Sequence, residues 1–210
     1  MSKLRARKIK LILFDVDGVL TDGKIWIFPA PGNSELHASK TGNTLFPHSV
    51  QHAGQSGFGF QDATLIEAKG FHAHDGTAIS LARLAGIKTG LITKRVSETV
   101  ALRARDLKID HVHQGIQDKA GLLSQILEKD GLTAAQVAFV GDDVIDLPIM
   151  RKCGLAIAVK NARPEVKAEA HYITAHAGGD GAARDAVEYI LKAQGKWKQA
   201  VVDYTQERGG

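Results

Sequence analysis

Two aspartates one residue apart, Asp15 and Asp17, stand where the apolar run LILF at 11–14 stops and Gly18 begins a turn. Charges that close repel each other, and carboxylates resist burial unless a cation or hydrogen bonds compensate them. A divalent metal is the simplest compensation, because hard cations take carboxylate and carbonyl oxygens. Backbone alternation sends the side chains of Asp15 and Asp17 to the same side. The plainer alternative is that one of the two only caps a turn. Three more polar positions share the setting, at or just after the end of an apolar strand pattern: Thr93, Lys119 and Asp142. Lys119, in the run QDKA, could be a solvated residue of a first helical turn. A cation there works against the helix dipole, which favours another reason for its presence. Open parallel sheets bind ligands outside the carboxyl ends of their strands, so these positions form one constellation.

The residues carry a resemblance. DVDGVLTDG at 15–23 resembles the first motif of the haloacid dehalogenase-like phosphatase superfamily, and its VLTDG extension resembles the 3-deoxy-D-manno-octulosonate 8-phosphate phosphatase branch. GDDVIDLPIM at 141–150 is similar to the fourth motif almost residue for residue, and Thr93 and Lys119 match the second and third. The resemblance implies an aspartyl-phosphate mechanism, with Asp15 as nucleophile and Asp17 as the group that protonates the leaving alkoxide and then activates water. It implies magnesium held by Asp15, the main-chain carbonyl of Asp17 and Asp142, with Asp143 and Asp146 in support or as further ligands. Asp146 has a second reading as a helix cap. Thr93 and Lys119 would hold the phosphoryl oxygens. The implied substrate is 3-deoxy-D-manno-octulosonate 8-phosphate; a nine-carbon keto-sugar acid phosphate and a non-catalytic assembly module of a sugar-activating enzyme are the rival readings.

Two departures bear on substrate. Thr93-Lys94-Arg95 replaces the usual Thr-Gly-Arg, so Lys94 adds a charge near the substrate or points away, while Arg95 can fork onto a carboxylate or phosphate. In the run FHAHDG at 71–76, His74 stands where an arginine is common. His74, Asp75 and Gly76 join Lys94 and Arg95 as expected substrate contacts. GGDGAAR at 178–184 also resembles the family pattern, and reads either as an anion-binding turn at a helix start or as a plain loop.

The elements that must position these residues follow from periodicity. Buried strands are expected at 11–14, 87–92, 109–112, 136–140, 155–159 and 171–174, with helices between them. One starts at Asp75 as its N-cap and stops at Gly86; others cover 96–107, the stretch before Gly131, and the stripe Ala182, Ala183, Ala186, Val187, Ile190, Leu191. The tail after Gly195 reads as polar and loose. Alternating strands and helices argue an α/β fold: a Rossmann-like three-layer α/β/α arrangement around a central parallel sheet. Segments 24–28 and 64–68 read as a projecting β-hairpin. Between them, 29–62 holds Pro29, Pro31 and Pro47 and few charges (Glu35, Lys40, Asp62), with no helical period. It reads as a loop insertion at the hairpin tip of a single domain, 1–210, with no separate cap domain. His37, His48 and His52 lie in it at no known metal-ligand spacing.

The 210-residue length suits one α/β domain, and 44% hydrophobic with 24% charged residues is ordinary globular composition. The lone cysteine, Cys153, excludes an internal disulfide, and with no secretory signal it favours a cytoplasmic protein. No run approaches the about 20 apolar residues of a membrane span. A net charge of +4 suits an anionic substrate, and no nucleic-acid module is recognisable, so neither membrane nor nucleic acid is an expected partner. The resemblance implies a homotetramer, in which the hairpin packs on neighbouring subunits and a neighbour helps close each site. The alternative is that the insertion closes the site within one chain.

Overall fold

The computed structural model describes residues 1–29 and 65–209. The 29–62 insertion and its three histidines therefore fall, apart from Pro29, outside the described residues. Six strands form one parallel sheet: β1 (Leu11–Phe14), β4 (Lys88–Ile92), β5 (His111–His113), β6 (Val137–Gly141), β7 (Leu155–Ala158) and β8 (Tyr172–Ile173), in the order β5-β4-β1-β6-β7-β8. β1 and β6 are buried at every position, as unbroken apolar runs in a two-sided sheet must be. Phe14 and Phe139 are the largest of the fully buried side chains between the layers.

The chain steps from β1 to β4 and β5, then returns across β1 to β6, β7 and β8. Right-handed crossovers in opposite directions put helices on opposite faces. α2 (Ala73–Leu84) and α3 (Glu98–Asp106) lie on one face; α4 (Lys119–Asp130), α5 (Leu147–Met150) and α6 (Pro164–Glu169) lie on the other. The contacts agree, since α2 packs on α7 (Ala182–Ala193) and α8 (Trp197–Gly209), and α5 packs on α4 and α6. The reversal of direction at β1 opens a crevice at the carboxyl ends of β1 and β6, where such sheets bind ligands. β2 (Trp26–Pro29) and β3 (Leu65–Ala68) pair antiparallel as the hairpin outside the main sheet.

Three local expectations change. The tail is not loose: α8 buries Ala200, rests Trp197 and Tyr204 on the core, and pairs Glu207 with Arg83 at 3.2 Å. Its polar composition conceals it, because it buries only a narrow stripe. α1 (Ser2–Ala6), where the sequence reading placed no element, docks through Arg5, which donates to the Gly154 carbonyl at 2.8 Å. Asp75 does not cap its own helix. His72 is the N-cap, and the Asp75 carboxylate accepts from the Gly181 and Arg184 N–H groups at 3.3 and 2.8 Å, capping α7 instead.

Candidate active site

The register of the sheet builds the site. Phe14 is opposite Val140, and the Asp15 N–H donates to the Val140 carbonyl at 3.0 Å, so Asp15 leaves β1 beside the end of β6. Asp142 follows one residue beyond β6. Gly18 permits their approach: its φ is +88°, and a β-carbon there would stand 2.2 Å from the Asp142 Oδ2. Lys119, the first residue of α4, is buried and donates to Asp15 Oδ1 at 2.8 Å and to Asp146 Oδ1 at 2.7 Å. Asp118, not Lys119, caps that helix, accepting from the Gly121 N–H at 2.8 Å. Asp146 stands at the N-cap of α5 without a side-chain bond to that helix; its Oδ2 accepts from the Asp142 N–H at 3.0 Å while Oδ1 takes the lysine. Asp143 caps the following turn through the Val144 N–H at 2.7 Å.

Carboxylate oxygens of Asp15, Asp142 and Asp146 lie within 4.8 Å of one another. One lysine faces three carboxylates. Burial raises the Asp15 carboxyl to about 6, with Asp146 adding to the rise and Lys119 opposing it. Burial, then Asp15, Asp146 and Asp143, push Asp142 up to about 7. Burial pulls the Lys119 ammonium down, but Asp15 and Asp146 outweigh it and hold it above its usual value. The Asp142 carboxylate accepts no hydrogen bond from the described residues. A crowded oxygen set with surplus negative charge fits a hard divalent cation.

Asp17 follows β1, whose strand pairing ends at Phe14. Its carboxylate stands outside the three-carboxylate cluster, accepting from the Lys69 Nζ with the Arg95 Nε 3.8 Å away. Thr93 is buried one residue past β4, its hydroxyl accepting from the Arg95 N–H at 3.3 Å. Arg95 donates to Glu67 of β3 at 2.8 Å and so stands beside Asp17.

The remaining expected substrate contacts divide. Lys94 is half-buried between Thr93 and Arg95. His74 is exposed on α2, its ring edge-on to His72 at 4.9 Å. Asp75 and Gly76 are both buried in packing contacts. Asp75 is spent on α7, and a β-carbon at Gly76 would meet the Arg103 guanidinium at 2.4 Å. The glycine run resolves likewise. The anion at the start of α7 is Asp75 itself, and Gly178 and Gly179 press on the loop after Asp17. A β-carbon at Gly178 would overlap the Gly18 carbonyl at 1.7 Å, and the Gly179 N–H donates to Val19 at 3.1 Å. Asn161 ties the two loops, donating to the Gly18 carbonyl at 3.3 Å and accepting from Gly178 at 2.7 Å. Sequence reasoning missed Asn161, Glu67 and Lys69. The last two carried a signal, opposite charges two apart at a strand end, which alternation turns to one face.

A family model for haloacid dehalogenase-like hydrolases matches residues 79–184. The 3-deoxy-D-manno-octulosonate 8-phosphate phosphatase KdsC of Escherichia coli K12 is 36% identical over 196 residues, covering 93% of this chain and 86% of that protein. The crystal structure of such a phosphatase from Moraxella catarrhalis, in complex with magnesium, phosphate and KDO, superposes with a TM-score of 0.76 at 32% identity, over 96% of this chain and 97% of that one. The cobalt-bound form of the Haemophilus influenzae protein gives 0.71 at 30% identity, over 94% and 99%. With its four motifs assembled on one sheet edge and matched along nearly its whole length, the chain belongs to the haloacid dehalogenase-like hydrolases, in the branch of the 3-deoxy-D-manno-octulosonate 8-phosphate phosphatases.

Proposed function

We propose that this chain hydrolyses 3-deoxy-D-manno-octulosonate 8-phosphate to the sugar acid and phosphate. The observation that carries the reading is the cluster of buried Asp15, Asp146 and Lys119 with half-buried Asp142 at the sheet's switch point. Its support from outside is the structural likeness to a phosphatase bound to magnesium, phosphate and KDO. Asp15, Asp142 and the Asp17 carbonyl would hold magnesium, with Asp146 behind them. Bound there, the ion neutralises the attacking carboxylate and the phosphoryl oxygens it approaches.

An Asp15 carboxylate oxygen attacks phosphorus, the bond from phosphorus to the sugar oxygen breaks, and Asp17 gives that oxygen its proton. Water then attacks the aspartyl phosphate, Asp17 takes the water's proton, and the bond to Asp15 breaks to release phosphate. Lys119 and the Thr93 hydroxyl steady the phosphoryl oxygens, and Arg95 and Lys94 meet the anionic sugar acid. We place the protein in the cytoplasm as a homotetramer of single-domain chains, with 29–62 as a loop insertion. Support comes from the free, buried Cys153 and the exposed apolar hairpin. Among the described residues no helix is long and apolar enough to cross a membrane.

Phosphate release from the eight-carbon substrate, measured with magnesium and with chelator, tests this reading. Turnover should require the metal. Asp15→Asn should lower it by at least about a thousandfold, the scale lost with a covalent nucleophile, while the melting curve stays cooperative. Substantial activity in a clean Asp15→Asn preparation would end the covalent mechanism. Faster turnover of a nine-carbon homologue would reassign the substrate.

A further inference from the structure

We propose that Lys69 is a positioning residue for Asp17: its ammonium fixes Oδ1 and leaves Oδ2 as the oxygen that transfers the proton. The inference rests on the proton role given to Asp17 above. Lys69 follows β3 directly, and its side chain is 0% exposed. Burying a lysine completely costs side-chain entropy and desolvation, so its partners should explain it. They are two carboxylates. The Nζ donates to Asp17 Oδ1 and lies 3.7 Å from Glu67 Oε1.

Glu67 is itself anchored. Its Oε2 takes the Arg95 guanidinium at 2.8 Å, and its main-chain carbonyl accepts from the Thr99 hydroxyl of α3 at 3.3 Å. Glu67 and Lys69 thus join the hairpin to the body of the protein on the side where Asp17 sits.

The two oxygens of Asp17 are consequently unequal. An ammonium has three donors and no acceptor, so it holds an oxygen without exchanging roles with it. Oδ1 is engaged in this way. Oδ2 faces the Arg95 Nε at 3.8 Å, beyond hydrogen-bond range, and that Nε is buried with no hydrogen-bond partner among the described residues. Proton transfer is effective only from a group held at the right distance and direction. A carboxylate pinned at one oxygen by a fully buried ammonium has that direction set before substrate arrives. In the first step Oδ2 then gives its proton to the sugar oxygen as the phosphorus–oxygen bond breaks; in the second it takes one from water.

The test exploits leaving groups. A sugar alkoxide needs that proton, whereas nitrophenolate leaves without it. Single-turnover release of the sugar or of nitrophenolate reports the first step alone, and is measured for wild type, Lys69→Met, Lys69→Arg and Asp17→Asn with saturating magnesium. Lys69→Met should slow sugar release by more than about tenfold and nitrophenolate release by less than about twofold, a fraction of what general acid catalysis contributes. Lys69→Arg should recover most of the loss, and Asp17→Asn should show the same discrimination more strongly. If Asp17→Asn discriminates and Lys69→Met slows both releases equally or neither, the positioning role is wrong and the proton role of Asp17 stands. If Asp17→Asn itself does not discriminate, both fall. Melting curves of each variant separate a local effect from loss of the fold.

Discussion

Asp142 and Asp15 hold more negative charge than Lys119 balances, and that imbalance has a sign in stability. Their carboxyls, raised to about 7 and about 6, keep protons in the fold that the unfolded chain has already lost. A folded value above the unfolded one stabilises fully below the unfolded value, and the stabilisation drains away as pH rises through about 6 and 7. Burial holds His113 and His171 below their usual range, which works in the opposite direction at lower pH. The carboxylate effect is therefore isolated by difference. Without magnesium, Asp142→Asn should melt at the same temperature as wild type near pH 5 and several degrees higher near pH 8. Magnesium should stabilise wild type increasingly across that interval, because the ligands must shed protons to bind it, and should do little for the variant. Thermal melts at both pH values with and without the ion decide this; a gap that does not widen with pH refutes it. Asp15, Thr93, Lys119 and Asp142 were legible in the sequence because each sits in a short local pattern at a strand end. Lys69 showed only as a charge near Glu67 at a strand end; its pairing with Asp17 was not legible, because the two are 52 positions apart and only the fold brings them together.

Elements were legible where burial is two-sided. β1, β6 and β7 show as apolar runs buried at every position, whereas the edge strands β5 and β8 are short and partly exposed; the order of the strands in the chain implies the parallel sheet. Boundaries moved by a residue or two, as at β5, expected at 109–112 and found at His111–His113. α8 was illegible because a helix lying on a finished core needs few apolar residues. Asp75 was misread for a related reason. It does cap a helix start, but α7 lies more than a hundred residues along the chain. Asp75 joins α2 to α7 by accepting two N–H groups of α7's first turn, and burial raises its carboxyl despite them. Asp75→Ala should leave those donors unpaired at a cost of about 1–3 kcal/mol. Each kcal/mol lowers the melting temperature of a domain this size by roughly 2–4 °C. Magnesium affinity by calorimetry should be unchanged. A variant that melts like wild type but binds the ion poorly would move Asp75 from the frame of the protein into its active site.

At the scale of the whole molecule, the described residues leave one face of the hairpin exposed. Alternation puts Glu67 on the face that meets Arg95 and turns Trp26, Phe28 and Ile66 the other way, where they are 53%, 49% and 44% exposed. A lone two-stranded hairpin does not bury such a face by itself. The phosphoryl site, at the open carboxyl ends of β1 and β6, needs shielding from bulk water, since exclusion of water strengthens every charge interaction in it. A second copy of the chain, as proposed above, would meet both needs, and closed symmetric assembly is the usual outcome for such surfaces. Trp26→Glu places a charge in the middle of that face without touching Glu67 or Lys69. Light scattering should show wild type as a tetramer and Trp26→Glu as a smaller species. Turnover of the sugar phosphate should drop more than that of p-nitrophenyl phosphate, because a small aryl phosphate relies less on a completed substrate pocket. A wild-type monomer with full activity at assay concentration would break the link between assembly and catalysis. A dissociated but fully active Trp26→Glu would keep the assembly and remove its catalytic purpose, leaving Glu67 and Lys69 as the hairpin's sole connection to the chemistry.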